Sequence, residues 1–210
     1  MYFNYNKNST TIQLRGGNNM KKIINNPDNL VNKELNVTNK VRAIILNNLK
    51  ITIVDYANIL MLPGGKVDDN EEEKEALKRE LKEELGLDIN SNELIPFIEY
   101  NNYLYNYPTR EGKNINKLVT TKYYIVKTNN KIDLSKRNLT ENEKNQKFKV
   151  FNVSILNIND LINDYNSNNP RWVYFKKEIT DIMHELNSFL KKETIDNRTK
   201  IKIKKRSDST

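Results

Sequence analysis

The stretch from Leu62 to Leu87, LPGGKVDDNEEEKEALKRELKEELGL, constrains this chain more than any other. Pro63, Gly64 and Gly65 interrupt regular structure and allow backbone conformations closed to other residues. Asp68, Asp69 and Asn70 follow, all residue types that cap helix N-termini. Between Glu71 and Leu85 there is no Gly, no Pro and no β-branched residue, so a helix is predicted there. Leu77, Leu81 and Leu85 recur every four residues and form an apolar stripe with Ala76. Glu80, Glu83 and Glu84 meet on another face. Like charges at that spacing repel by a few tenths of a kcal/mol per pair. Arg79 offsets part of this, and a hard divalent cation would offset more, because Mg²⁺ takes carboxylate oxygens and water. A glycine loop beside clustered carboxylates points to a metal bound to phosphate. The plainer alternative is a solvated acidic helix.

The spacing decides between them. Gly65 is followed by five residues, Glu71, seven residues, and then Arg79-Glu80-Leu81-Lys82-Glu83-Glu84-Leu85-Gly86-Leu87. This resembles the signature of the Nudix hydrolase family, Gly-x5-Glu-x7-Arg-Glu-apolar-x-Glu-Glu-x-Gly-apolar, with every specified position filled. The resemblance implies an α/β/α sandwich with a mixed β-sheet. It also implies metal-dependent hydrolysis of a diphosphate linkage in a nucleoside diphosphate derivative, with Mg²⁺ or Mn²⁺ as cofactor. In that reading Glu83 and Glu84 are the main metal ligands, with the Gly64 carbonyl nearby. Glu80 ligates metal or helps deprotonate water. Arg79 and Glu71 pair to hold loop and helix in register. Many family members add an acid from beyond the signature, and Glu141 and Glu143 in LTENE are the candidates, in a loop before a strand at Phe148. Tyr103 and Tyr105 fall where tyrosines mark some dinucleoside polyphosphate hydrolases of the family, which makes base stacking on either one reading. They serve as substrate-binding candidates beside the alternative that they pack on a strand face.

Elsewhere the pattern alternates between strand and helix. VRAIIL at 41–46 and ITIVDY at 51–56 are β-branched runs split by Asn47-Asn48, which spells a hairpin. Residues 94–104, 117–127 and 148–153 are further strand candidates. A helix is predicted over 155–165. Asn169-Pro170 opens another, with Asn as cap and Pro at the first helical position. Its apolar stripe runs through Trp172, Phe175, Ile179, Ile182, Met183, Leu186 and Leu190, and His184, the single histidine, falls beside it as a rim residue. The Nudix domain is therefore expected over 39–190. An irregular Asn-rich arm covers 1–38, and a basic disordered tail covers 191–210.

The 210 residues contain no cysteine, which excludes disulfides and thiolate metal sites. No signal-like N-terminal segment and no long apolar run is present, so a cytoplasmic protein without a membrane partner is expected. The formal charge of +8 is uneven, because residues 191–210 carry eight Lys and Arg against three acidic residues. Such a tail can attract nucleic acid. An enzyme acting on RNA 5′ ends, by decapping or pyrophosphate removal, is one alternative. A non-catalytic nucleotide-binding domain is another. The leading expectation is a small nucleotide-derived diphosphate as partner, with RNA not favoured, because the tail is interrupted by Glu193 and Asp196 and has no aromatic for base stacking.

Overall fold

The computed structural model describes residues 20–28, 30, 34–109 and 111–207, with side chains described to residue 192. Seven strands form one mixed sheet: β1 (Lys21–Asn25), β2 (Asn36–Asn47), β3 (Lys50–Tyr56), β4 (Ile59–Met61), β5 (Leu94–Pro108), β6 (Asn114–Val126) and β7 (Lys149–Ser154). Their order is β1-β5-β6-β2-β3-β4, with β7 also on β3. Pairs β1–β5 and β2–β6 are parallel and the remaining pairs antiparallel.

Helix α1 (Glu73–Leu85) covers one face of the sheet. Ala76, Leu77, Leu81 and Leu85 are fully buried there against Val41, Ala43, Tyr124 and Val126. Short α2 (Glu141–Asn145) follows β6. Helices α3 (Ile158–Asp164) and α4 (Trp172–Ser207) cover the other face, where Ile179, Ile182, Met183 and Leu186 pack on Ile44, Ile98, Tyr100 and Tyr123. Strand alternation explains the division: successive β2 side chains go to opposite layers. The architecture is the expected α/β/α sandwich. Among the described residues no helix is long and apolar enough to cross a membrane.

The β2–β3 hairpin has one feature that makes the site. The two strands pair only at Leu46–Ile51 and Asn47–Lys50 and then splay. The glycine loop fills the gap. Ala43 N donates to Pro63 O at 2.9 Å, Val41 N to Gly65 O at 3.0 Å, and Val67 N to Asn39 O at 3.0 Å. Loop 63–67 is thus fastened to β2 as though it were a further strand.

Several local expectations change. Helix α1 begins at Glu73, and its N-cap Glu72 makes no side-chain cap bond. Asp68, Asp69 and Asn70 do not cap it, because Asn70 turns the chain with φ 64° and delays the helix. Glu71 therefore lies before the helix instead of in its first turn. β1 falls within the stretch read as an irregular arm, whose residues 1–19, 29 and 31–33 lie outside the described residues. Its local sequence is weak, and it is held by tertiary contacts: Lys21 with Glu185 at 2.6 Å, Lys22 with Glu99 at 2.8 Å, and Asn25 with Asn102 at 2.8 Å. α4 runs to Ser207, into the stretch read as a disordered tail. Nothing from Arg171 onward is Gly or Pro, so no residue there stops it.

Candidate active site

Two elements bring the motif side chains together. Loop 63–67 is pinned to β2, and α1 packs beside it through its leucine stripe. At Gly64 φ is +123°, and an added Cβ would lie 2.4 Å from Val41 O, so both conformation and space require glycine. At Gly65 the constraint is space alone, since a Cβ would lie 2.1 Å from Glu80 Oε1. The helix closes at Gly86, whose N–H donates to Lys82 O at 3.0 Å while Leu87 N–H reaches Leu81 O at 3.1 Å, a Schellman end.

Arg79 is the hub of the motif. Its Nε and Nη2 donate to the two Glu71 oxygens, each at 2.9 Å. Its Nη1 bridges Glu80 Oε1 at 3.0 Å and Glu83 Oε2 at 3.3 Å, and Nη2 also reaches Lys66 O at 3.3 Å. The bidentate bond to Arg79 holds the Glu71 carboxyl below its ordinary value and the guanidinium above its own. Glu71, ahead of the helix, and Arg79, within it, thus tie the loop to the helix.

Glu84 is 4% exposed, and its Oε2 accepts the Gly64 N–H at 2.8 Å. Burial pushes its carboxyl up to about 8, opposed by the Arg42 guanidinium and the Gly64 N–H. Burial also raises Glu80, opposed by Arg79 and Arg42. A buried acid, Glu84, and a half-buried one, Glu80, are thus held where ionisation is costly, an arrangement that a nearby cation relieves. Among the described residues no three acidic or histidine side chains converge on one point. Arg79 bridges two of the carboxylates and Gly64 holds the third. The donors nonetheless suit a hard divalent cation: all are carboxylate oxygens, and Gly65 leaves them a cradle that any larger residue would fill.

Arg42 was not singled out by sequence, although a charge inside the apolar run VRAIIL was a visible signal. It is buried, and its Nη1 donates to Leu62 O at 2.9 Å and to Gly64 O. The Gly64 carbonyl expected near the metal therefore already accepts one bond from Arg42. Arg42 also lines a cleft on the α4 face, together with Asn102, Leu104, Tyr107, Tyr174 and Phe175. Arg42 connects the carboxylates to this cleft, since it lines the cleft and donates to Gly64 O while the Gly64 N–H donates to Glu84.

The two distal candidates separate. They sit in α2, a short helix and not a loop, because Thr140 and Glu143 form a capping box. Glu143 lies close enough for its charge to raise Glu84, while its Oε2 accepts Thr140 N at 2.7 Å and Oγ1 at 2.8 Å. Glu141 is exposed and paired with Lys144 at 2.8 Å. Tyr103 and Tyr105 do not line the cleft. Along β5 the cleft takes Asn102 and Leu104, so strand alternation sends 103 and 105 to the opposite face. An irregularity between Leu104 and Tyr107 then turns Tyr107 inward, which no sequence periodicity announces. His184 is exposed beside Asn159, Thr180 and Asn187 in a groove between α3 and α4, away from the carboxylates.

A mixed sheet between helices, with an acidic helix braced by arginine against a glycine loop, defines the class of α/β domain found here. The chain belongs to the NUDIX domain family, which matches residues 40–173. A curated relative from Haemophilus influenzae, an 8-oxo-dGTP diphosphatase, is 39% identical over 72 residues. That match covers 34% of this chain and 44% of the relative, so the chain matches less than half of its length. Among solved structures, a NUDIX hydrolase from Nitrosomonas europaea is 19% identical, covers 70% of this chain and 90% of its own, and has a TM-score of 0.45. A bifunctional NMN adenylyltransferase/ADP ribose pyrophosphatase from Francisella tularensis, complexed with AMP and a Mn ion, is 19% identical, covers 72% and 42%, and has a TM-score of 0.45.

Proposed function

We propose that the protein hydrolyses the diphosphate linkage of a nucleoside diphosphate derivative, using Mg²⁺ or Mn²⁺ at the carboxylates of α1. The observation that carries this reading is the buried Glu84 carboxyl bonded to the Gly64 N–H, with Glu80 and Glu83 beside it under one guanidinium. Glu83 and Glu84 would hold the cation with the remaining lone pair of the Gly64 carbonyl. When bound, such a cation screens the negative phosphate oxygens and makes an attacking water more acidic.

The chain's own residues do the rest. Glu80, raised by burial, accepts a proton from water more readily than an ordinary carboxylate. The water oxygen bonds to phosphorus, the bridging P–O bond breaks, and two phosphate products leave. Arg79 and Glu71 keep Glu80 and Glu83 in register with the loop. Arg42 anchors the loop and faces the anionic substrate. Glu143 is the better placed distal acid. The nucleoside lies in the cleft beside Asn102, Tyr107 and Tyr174, in place of Tyr103 and Tyr105.

The retention of all three carboxylates weighs against a binding-only domain. The test is a panel containing nucleoside triphosphates, 8-oxo-dGTP, ADP-ribose, dinucleoside polyphosphates and 5′-labelled RNA, with Mg²⁺, with Mn²⁺ and with chelator. Metal-dependent turnover of a small nucleotide is the expected result. Turnover of none overturns the reading, and turnover of RNA alone replaces it with the RNA-end alternative.

A further inference from the structure

Five apolar side chains on the α1 side of the sheet belong to neither layer of the core. Lys22 pairs with Glu99 at 2.8 Å, and Lys122 Nζ reaches Glu73 of α1 at 2.6 Å. Alternate residues in register with these three strand positions therefore share the α1 side. They include Ile24 on β1, Tyr103 and Tyr105 on β5, Leu118 on β6 and Val37 on β2. Tyr103 stands opposite Leu118, and Leu118 opposite Val37, while Ile24 stands opposite Asn101. Ile24 is 63% exposed, Val37 58% and Tyr105 49%. Helix α1 stops short of them, since its apolar stripe packs on Val41, Ala43, Tyr124 and Val126. A contiguous apolar surface of this kind marks a place that something covers.

The surroundings select the occupant. Nucleic acid finds no available cation at the rim, because Lys22 and Lys122 are already held by carboxylates. Asp68 and Asp69 add negative charge there, next to Val67, whose amide is bonded to Asn39 O two residues along β2 from Val37. A second copy needs more area. Four strands about 4.8 Å apart and about four residues deep present about 200 Å², against about 800 Å² buried by each partner of a stable dimer. A short segment of the same chain needs no such area, because its tether keeps it close.

The sequence ahead of β1 has the right chemistry, place and length. Residues 1–19, outside the described residues, lead directly into Met20, which packs against the α1-side core. They carry Tyr2, Phe3, Tyr5, Ile12 and Leu14, with Lys7 and Arg15 as their charged side chains. Gly16-Gly17 stand where a chain crossing this face must reverse to enter β1. β1 starts opposite Ile98, and from there to Tyr105 is about 23 Å along β5. Residues 1–15, fully extended, reach about 50 Å.

We infer that residues 2–14 dock across Ile24, Tyr103, Tyr105, Leu118 and Val37 as an intramolecular strap. The strap lies behind β5, the strand whose opposite side carries Asn102, Leu104 and Tyr107 to the cleft. It braces that wall without entering the cleft, so the inference stands apart from the identity of the substrate.

Because the chain has no cysteine, disulfide trapping in the full-length protein reports on the introduced thiols alone. Tyr105→Cys is combined in turn with Phe3→Cys, Tyr5→Cys, Ile12→Cys and Leu14→Cys. A disulfide closes only when the two Cα atoms come within about 7 Å. Under mild oxidation at micromolar concentration, at least one of these pairs should close within the chain in most molecules, as read by non-reducing electrophoresis and peptide mass. The same N-terminal thiols combined with Leu156→Cys, an exposed position after β7 at the far edge of the sheet, should close at least about tenfold more slowly. Where a melting curve shows that Tyr105→Cys does not fold, Val37→Cys takes its place as the sheet-side thiol. Closure of none of the pairs, or closure with Leu156→Cys at an equal rate, overturns the inference. So does a disulfide-linked dimer that forms from Tyr105→Cys alone faster than any pair closes, which assigns the patch to a second copy.

Discussion

Replacing Gly65 with Ala should remove activity and spare the fold. A Cβ at position 65 would lie 2.1 Å from Glu80 Oε1, 2.3 Å from Cδ and 2.5 Å from Oε2. Ordinary contact begins at 3.4 Å, so the Glu80 carboxylate must withdraw by about 1.3 Å. All three colliding atoms belong to the end of a flexible side chain, and no backbone need move. The stability cost should therefore stay below about 1 kcal/mol. Withdrawal breaks the 3.0 Å bond to Arg79 Nη1 and takes Glu80 from the reacting water. A displacement of about 1 Å at a catalytic group costs about a hundredfold in rate. The assay is kcat on the best substrate of the panel, with a melting curve on the same sample. A kcat within about threefold of wild type refutes the placement of Glu80, and global unfolding refutes the argument that only a side chain yields. Gly64→Ala is the contrasting control: its Cβ meets the Val41 backbone oxygen at 2.4 Å, and φ is +123°. That variant should lose about 3 kcal/mol or more.

Glu83→Gln and Glu84→Gln should each lower kcat at least about a hundredfold with the melting temperature kept, because Glu83 leaves a cluster of like charges and Glu84 is a carboxyl that burial already disfavours in its charged form; wild-type turnover in either contradicts the ligand assignment. Activity should vanish in EDTA and return with Mg²⁺ or Mn²⁺, and undiminished turnover in excess chelator would sink the mechanism. Lys40, pushed down to about 8 from 10.5 mainly by burial, binds its proton less well folded than unfolded. Its charge thus destabilises the folded state at neutral pH, and this penalty lifts as pH rises from 8 to 10.5. Lys40→Met should be more stable than wild type at pH 7 by at most about 3 kcal/mol, with the gap narrowing by pH 9.5. A gap in denaturant midpoint that does not change with pH contradicts the burial argument. Deleting residues 191–210 should leave small-nucleotide turnover unchanged, and selective loss of RNA turnover at two salt concentrations would promote the RNA-end alternative.

The carboxylate half of the site was legible because its information is local. Helix periodicity sets Ala76, Leu77, Leu81 and Leu85 against the sheet, and that orientation alone turns Glu80, Glu83 and Glu84 toward the loop. The cleft half was not legible, because it depends on registers between distant strands. Lys40 faces Thr121 only through the parallel β2–β6 pairing, and Tyr107 rather than Tyr105 faces the cleft only because β5 is irregular after Leu104. Arg42 lay between these cases. Its charge in an apolar strand was conspicuous, but its partners Leu62 O and Gly64 O are visible only once the loop has docked on β2.

That docking has a consequence for how such a protein can change over generations. The loop is laced to one edge of β2, and the carboxylates proposed to break the bond lie on the α1 side while the cleft proposed to receive the nucleoside lies on the α4 side. Substitutions lining the cleft can therefore retune what is accepted without disturbing what is done to it. Arg42 is the exception, because its side chain belongs to the cleft while its guanidinium holds the loop. Innovation is cheap everywhere along that wall except at the one residue where the two inheritances are tied together.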